Sequence, residues 1–469
     1  MGEETDRAVF NLAAYVLAAG RTRADRPALI VPGVQRWTHG ALADAVERRA
    51  GGLAARGLKS GDRVLLRLGN SGDFPVTFLA CALAGLVPVP TAAGLTEREI
   101  TRMAALVDPA LVVAEAGISR PAGAGAVAPE ALDAVPLPPA DWSRGSADRL
   151  GYIVFTSGSG GTPKAVAHAH RAVLARRAMW DGWYGLRADD RMMHAGAFNW
   201  TYTLGTGLLD PWAIGATAIV PPPGAADLAG LIRAEAATIF AAAPGIYRRL
   251  LRGDLSGLGA LRHGLSAGER LPEATRTAWY AATGTDLHEA LGMSECSTFV
   301  SGCPDRPAPS GTSGYAQPGR RVRVVDGRLQ VATDDPGLML GYWVDGAPVP
   351  VEGDWFDTGD RVTTRADGAI RHEGRADDLL NPGGFRVSPQ EVEAALADLP
   401  VHEIAVGCTR VAGGAEVLAA YYVGPLLDEG MADAHATARL AAYKRPRLWL
   451  RREALPRNAN GKLRRRDLA

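Results

Sequence analysis

The sequence predicts an α/β protein: a large N-terminal domain of several subdomains, with parallel-type sheets and a small β-barrel-like part, followed by a small α+β domain. Three observations predict it. Short apolar runs alternate with helix-like stretches through most of the chain, the texture turns to period-two runs near Arg320, and a second break falls near Gly374–Asp378. The boundary is set at 376/377, giving domains 1–376 and 377–469. A chain of 469 residues has room for about three domains or subdomains and buries most of the surface its unfolded form exposes.

Val64–Leu68, apolar but for Arg67, reads as a buried strand; helix-like Phe74–Gly85 and the strand Leu86–Pro90 follow. Thr96-Glu97-Arg98-Glu99 reads as a capping box, with Thr96 as cap and Glu99 reaching back. Tyr152–Phe155, Ala216–Val220, Thr238–Ala242 and Arg262–Ser266 read as further strands. Arg321–Val325 and Arg328–Ala332 flank Asp326-Gly327, a strong hairpin signal. Ser388-Pro389-Gln390-Glu391 is a second capping box, with proline at the first helical position, opening a helix to about Leu396. Asn11–Gly20 reads as a short amphipathic helix, and the Ala/Gly/Pro-rich Arg120–Pro139 as a surface excursion or linker.

Composition narrows the function. Hydrophobic residues at 47% and charged residues at 22% exclude wholesale disorder. Charges balance at 51 basic against 51 acidic, with a pI of about 7.1, which argues against nucleic acid and anionic membrane as partners. Cys81, Cys296, Cys303 and Cys408 form no CxxC pair and no metal-spaced Cys/His set, so buried reduced thiols are expected. Glu3, Glu4 and Asp6 stand where a signal peptide carries basic residues, and Pro211, Pro221 and Pro244 interrupt the most apolar stretches; a cytoplasmic location is expected. From Lys444 to Ala469, ten Lys/Arg stand against Glu453 and Asp467, a tail suited to solvent or to a polyphosphate.

The segment that carries most chemistry runs from Tyr152 to Lys164: a strand opening into Thr156, Ser157, Gly158, Ser159, Gly160, Gly161 and Thr162, then Pro163 and Lys164. Glycines allow close backbone approach, successive N–H groups form an anion nest and hydroxyls add donors, so the loop suits phosphates. It is neither a Walker A loop nor a dinucleotide fingerprint, because no Gly-Lys-Ser/Thr occurs and Pro163 stands where the third glycine belongs.

This loop resembles the phosphate-binding segment of the adenylate-forming superfamily, which includes acyl-CoA synthetases, adenylation domains of peptide synthetases and luciferases. Five further segments agree, in the family's order, over about residues 20–469: Ser266-Ala-Gly-Glu269, Leu291-Gly-Met-Ser-Glu295, Asp354-Trp-Phe-Asp-Thr-Gly-Asp360, Gly374 through Glu391, and Pro456-Arg-Asn-Ala-Asn-Gly-Lys462. Ala167-His168-Ala169-His170 is similar to a motif of benzoate- and other acyl-CoA ligases; two histidines at i, i+2 share no helix face and are not read as metal ligands. Gly160, Ala165 and Leu291 depart from the family's Thr/Ser, Gly and aromatic.

The resemblance implies an AMP-forming acid–CoA ligase using ATP, Mg²⁺ and CoA, with a small mobile C-terminal domain. Thr156, Ser157, Gly158, Ser159, Gly160, Gly161, Thr162 and Lys164 would hold phosphates; Gly268, Glu269, Leu291, Gly292, Met293 and Ser294 would border the nucleotide. Glu295 would hold Mg²⁺, Asp360 the ribose hydroxyls, Arg375 the ribose and phosphate, and Lys462 the α-phosphate and incoming carboxylate; Lys462, Glu295 and Thr156 are the catalytic candidates. His194, Phe198, Asn199, Trp200, Ala267 and Gly268 would line the acyl pocket, for which an uncharged aliphatic or aromatic acid is expected. Asp377 is the expected hinge, and Gly383, Gly384 and Arg386 would border the thiol channel. The partners expected are a small carboxylic acid, ATP and CoA, with a homodimer compatible. Two alternatives stand beside this reading. One is a stand-alone enzyme loading a carrier-protein thiol. The other, more remote, is a serine hydrolase at Ser266, since Gly264-Leu-Ser-Ala-Gly268 fits a nucleophile elbow.

Overall fold

The computed structural model describes residues 7–157, 163–222, 224–375, 380, 387–411, 416–458 and 463–468. A nine-stranded sheet forms its centre. Six neighbouring strands run parallel, in the order Asp286–Met293, His263–Ala267, Ile239–Ala242, Arg191–Ala195, Thr217–Ile219 and Pro27–Val31. Antiparallel strands flank them, Ser297–Ser301 and Tyr315–Ala316 on one side and Gln35–Thr38 on the other. The expected apolar runs are the inner strands because both faces are covered. Met193, Phe240, Ala242 and Leu287 join a core with Tyr247 and Trp279, while Met192, Ala241, Leu265 and Ala290 join another with Trp183 and Tyr202.

Val87–Pro90, Arg63–Arg67 and Leu111–Ala114 make a parallel three-stranded sheet. Against it lies an antiparallel sheet of Ala347–Val349, Gly341–Val344, Pro163–Ala169 and Leu150–Ser157; Leu65, Val89, Ile153, Ala167 and Trp343 share one core. Val322–Val325, Arg328–Ala332, Trp355–Thr364 and Ile370–Arg375 form a four-stranded sheet. This is the β-rich part expected from the period-two texture, but it is an open sheet, and no closed barrel exists among the described residues. Its hairpin turns at Asp326 (φ 49°) and Gly327 (φ 72°), left-handed at both central positions, as a type I′ turn requires.

Toward the C-terminus, Glu403–Arg410, Glu416–Val423 and Leu448–Arg451 form a mixed sheet. The helices Pro389–Ala395 and Glu429–Arg439 pack on it around Val392, Val406, Leu418, Ala432 and Trp449.

Local chemistry explains the helix starts. Asn11 caps Leu12–Arg21 by accepting from the N–H groups of Ala13 and Ala14, and its amide donates to Ala82 and Ser143 carbonyls. The Thr96–Glu99 box closes in both directions. At Ser388 only half of the expected box forms: its hydroxyl accepts from Glu391 N–H, while the Glu391 carboxylate is taken by Lys444. The stretch Arg120–Pro139 is not a free excursion. Leu132 is buried, and the carbonyls of Leu132 and Val135 lie so close to Gly52 and Gly51 that a Cβ there would sit 1.6 and 1.9 Å from them. The two glycines let this segment lie along the helix His39–Ala54. All four cysteines are free thiols, three of them buried. No helix among the described residues is long and apolar enough to cross a membrane.

Candidate active site

The strands Leu150–Ser157 and Pro163–Ala169 pair antiparallel, with Thr156 opposite Lys164 and Ser157 opposite Pro163, so both flanks of the Gly/Ser segment meet at one end of the hairpin. Gly158, Ser159, Gly160, Gly161 and Thr162 lie outside the described residues, as do Asp377, Gly383, Gly384, Arg386 and Lys462. Beside this hairpin runs Gly341–Val344, with Tyr342 opposite Val166. The Lys164 ammonium stands 4.7 Å from the centre of the Tyr342 ring, and the Tyr342 hydroxyl donates to Glu295 Oε1 at 2.8 Å. Sequence reading did not single out Tyr342, yet it ties the lysine to the carboxylate.

Leu291, Gly292 and Met293 close the strand Asp286–Met293, and Ser294, Glu295 and Cys296 form the turn into Ser297–Ser301. Gly292 is required there, because a Cβ would come within 2.4 Å of the Ser297 carbonyl. The turn is held from both ends: His168 Nε2 meets Ser294 O at 2.8 Å, and Met339 N–H donates to Glu295 O at 2.7 Å. His168 also stacks on Tyr152, which fixes its ring against the turn.

Asp360 lies in Trp355–Thr364, directly across from Arg375 in the next strand. His372 Nε2 meets Asp360 Oδ1 at 3.0 Å. Burial pushes the Asp360 carboxyl upward, but the His372 hydrogen bond and the charges of His372 and Arg375 outweigh it and hold the pKa below the usual carboxylate value. The Arg375 charge also reaches Tyr342, so the two halves of the site share one field. Next to His372 a pocket is lined by Arg270, Glu289, Thr312, Ser313 and His372. Glu289 is buried, which raises its pKa, and it accepts from Ser313 Oγ (3.3 Å) and Arg276 (3.4 Å). Glu269 extends from the turn after His263–Ala267 and lies 3.8 Å from Arg248 and 3.7 Å from Arg457.

The expected acyl-pocket residues come from the ends of two strands, Arg191–Ala195 and His263–Ala267, with Ile239–Ala242 between them. Ala267 ends one strand, and Gly268 follows at φ +96°. Trp200 packs on Gly268, its ring 2.9 Å from where a Cβ would stand. Trp200 also meets Tyr202 edge-on (5.4 Å), and Tyr202 meets His194 (4.7 Å). Asn199 precedes Trp200 in the same segment. Phe198 is buried against Phe74, and Gly207 lies between it and His194. Ser266 is fully buried inside its strand, not exposed on a strand-to-helix turn, which rules out the nucleophile-elbow reading.

Comparison with known proteins identifies the family. The family model described as AMP-binding enzyme matches residues 17–343. A 3-hydroxybenzoate–CoA ligase of Aromatoleum sp. (strain CIB) is 30% identical over 94% of this chain and 92% of its own. A p-hydroxybenzoic acid–AMP ligase of Mycobacterium tuberculosis is 32% identical over 94% of this chain and 65% of its own. The crystal structure of an anthranilate CoA ligase in complex with anthranoyl-AMP superposes with a TM-score of 0.88 at 26% identity, covering 99% of this chain and 97% of that one. The chain belongs to the AMP-binding enzyme family, the adenylate-forming superfamily, as an AMP-forming acid ligase.

Proposed function

We propose that this enzyme joins an aromatic carboxylic acid to CoA. A carboxylate oxygen attacks the α-phosphorus of ATP, the bond to the bridging oxygen breaks, and pyrophosphate leaves. The CoA sulfur then attacks the acyl carbon, the bond to the AMP oxygen breaks, and AMP leaves. The observation that carries the reading is the likeness to an aryl-acid CoA ligase over almost the whole of both chains.

The residue roles follow from what each can do. Phosphoryl chemistry is served by positioning and charge neutralisation. Thr156, Lys164 and the intervening segment would hold the terminal phosphates, and Lys462 would stand at the α-phosphate. Asp360, kept ionised, can accept from both ribose hydroxyls while Arg375 faces the phosphate. Among the described residues no group of three or more His, Cys, Asp or Glu could cage a metal. A single carboxylate such as Glu295, completed by phosphates and water, fits Mg²⁺, which would supply charge neutralisation on the phosphates. Asp377 is the hinge of this reading, and residues 377–469 are the domain that turns to admit CoA at Gly383, Gly384 and Arg386. A cytoplasmic location suits free thiols and these substrates.

The test is pyrophosphate release with ATP and Mg²⁺ over a panel of aromatic and aliphatic acids, with and without CoA. Multiple turnover that needs both an aromatic acid and CoA is the expected result; turnover confined to aliphatic acids overturns the aryl-acid assignment. A second reading rests on the p-hydroxybenzoic acid–AMP ligase, of which this chain covers only 65%. Stoichiometric release that CoA does not accelerate would favour that adenylating role, with a carrier-protein thiol as acceptor.

A further inference from the structure

We propose that His194 is a specificity-determining residue that reads a hydroxyl or amino substituent on the ring of the aromatic acid. The inference rests on the aryl-acid reading and narrows its substrate class. His194 is 1% exposed, and neither ring nitrogen has a hydrogen-bond partner among the described residues. A neutral imidazole carries one donor and one acceptor, and buried polar groups are almost always paired, so two unmet valences on one ring call for a ligand. Three other buried histidines behave differently. His168, His170 and His263 each engage a backbone group through one nitrogen, at 2.8, 3.0 and 2.6 Å.

The surroundings define what would satisfy it. Burial alone lowers the His194 pKa, to about 3, with no charged side chain among the described residues contributing, so the ring is neutral at working pH and offers no charge to a second carboxylate. Around it, Gly196 brings His194 Cε1 and Thr203 Cγ2 to one point, 3.0 and 3.3 Å from where a Cβ would stand. The Thr203 hydroxyl is also buried and unmet among the described residues. From His194 the wall continues through Tyr202 and Trp200 to Gly268, flat rings that suit an aromatic acid. A ring hydroxyl donates and accepts and a ring amine donates, so either can meet one imidazole nitrogen; an unsubstituted ring would leave both bare.

The experiment measures kcat/KM for pyrophosphate release by the full chain with benzoate, the three hydroxybenzoates and the three aminobenzoates. At least one substituted acid is expected to exceed benzoate by 10-fold or more, as roughly the worth of a buried hydrogen bond to a site built for it. In His194→Phe that ratio should fall roughly 10–100-fold, and His194→Gln, which keeps a donor and an acceptor, should retain part of it. A wild-type preference for benzoate overturns the inference, as does a preserved ratio in His194→Phe or an equal loss on every acid. Use of aromatic acids without regard to substituent sinks this inference alone. Turnover with aliphatic acids only sinks the aryl-acid reading with it.

Discussion

The nucleotide side and the acyl side of the site are finished to different degrees. Where ATP is expected, charged and polar side chains are already joined: Lys164 to Tyr342, Tyr342 to Glu295, His372 to Asp360, Ser313 and Arg276 to Glu289. Along the acyl wall the polar atoms of His194, Thr203 and the Trp200 indole are buried and unmet among the described residues. A ligand of fixed structure can be met by a network organised beforehand, which costs little reorganisation when charge develops. A ligand that distinguishes one enzyme from its relatives is met by valences left for it to complete, since a bare polar wall penalises every acid lacking the matching group.

Changes on the joined side should therefore affect all acids alike, and changes on the acyl wall should depend on the acid. The largest effect is expected for Glu295→Gln, which removes the carboxylate assigned to Mg²⁺ and should lower acid-dependent ATP–pyrophosphate exchange about 10²–10³-fold for every acid tested. Retention of exchange within 10-fold would remove Glu295 from the metal role. Gly268→Ala comes next: its φ of +96° disfavours any side chain, and the new methyl would meet Trp200. The KM for the acid should rise roughly 10-fold while the KM for ATP moves by less than about 3-fold. Equal movement of both would show that the two sides are not separable.

Tyr342→Phe probes the joined side more gently. The ring under Lys164 remains and only the hydrogen bond to Glu295 is lost, so the Mg²⁺ concentration for half-maximal exchange should rise roughly 3–10-fold, again for every acid. A Mg²⁺ titration that coincides with wild type would leave Tyr342 as packing.

What could be read beforehand follows the same division between local and non-local causes. The strands around Val64-Leu65-Leu66 and at Ile239–Ala242 were legible because burial on both faces writes a continuous apolar run, and the Asp326 turn because two left-handed residues demand Asp-Gly chemistry. Glu295 and Asp360 were legible because each lies in a motif whose residues are neighbours in sequence. Tyr342 and His372 were not: Tyr342 reaches Glu295 from a different sheet, 47 residues away, and His372 reaches Asp360 across a strand pairing, 12 residues away. The register of Trp355–Thr364 with Ile370–Arg375 is the signal that would have found His372. The half-formed box at Ser388 failed for the same kind of reason, a tertiary partner, Lys444, outbidding the local one. Sequence placed His194 near the acyl group but held nothing about its unmet nitrogens, which are a property of packing.

The smallest effect is thermodynamic and tests whether the acyl-wall imidazole is neutral. Burial is the leading cause that lowers the pKa values of His168, His170, His194, His263 and His288, to about 4, 3, 3, 4 and 3, from an ordinary 6.5. For such groups the unfolded chain binds protons that the folded one refuses. Their contribution is therefore complete above about pH 6.5 and is lost as pH falls toward 4, whereas Glu289, with its raised pKa, works the other way as one group against these five and His39, whose pKa burial also lowers. Each histidine adds up to about 1.4 kcal/mol of lost stability per pH unit in that window. Urea unfolding of wild type between pH 7 and pH 4.5 should show the decline, and His194→Phe should flatten it by about one proton, whatever that substitution does to stability at pH 7. An unchanged slope would mean that His194 is protonated or solvated in the folded enzyme. In that case its nitrogens are already satisfied, and the acyl side is no less complete than the nucleotide side.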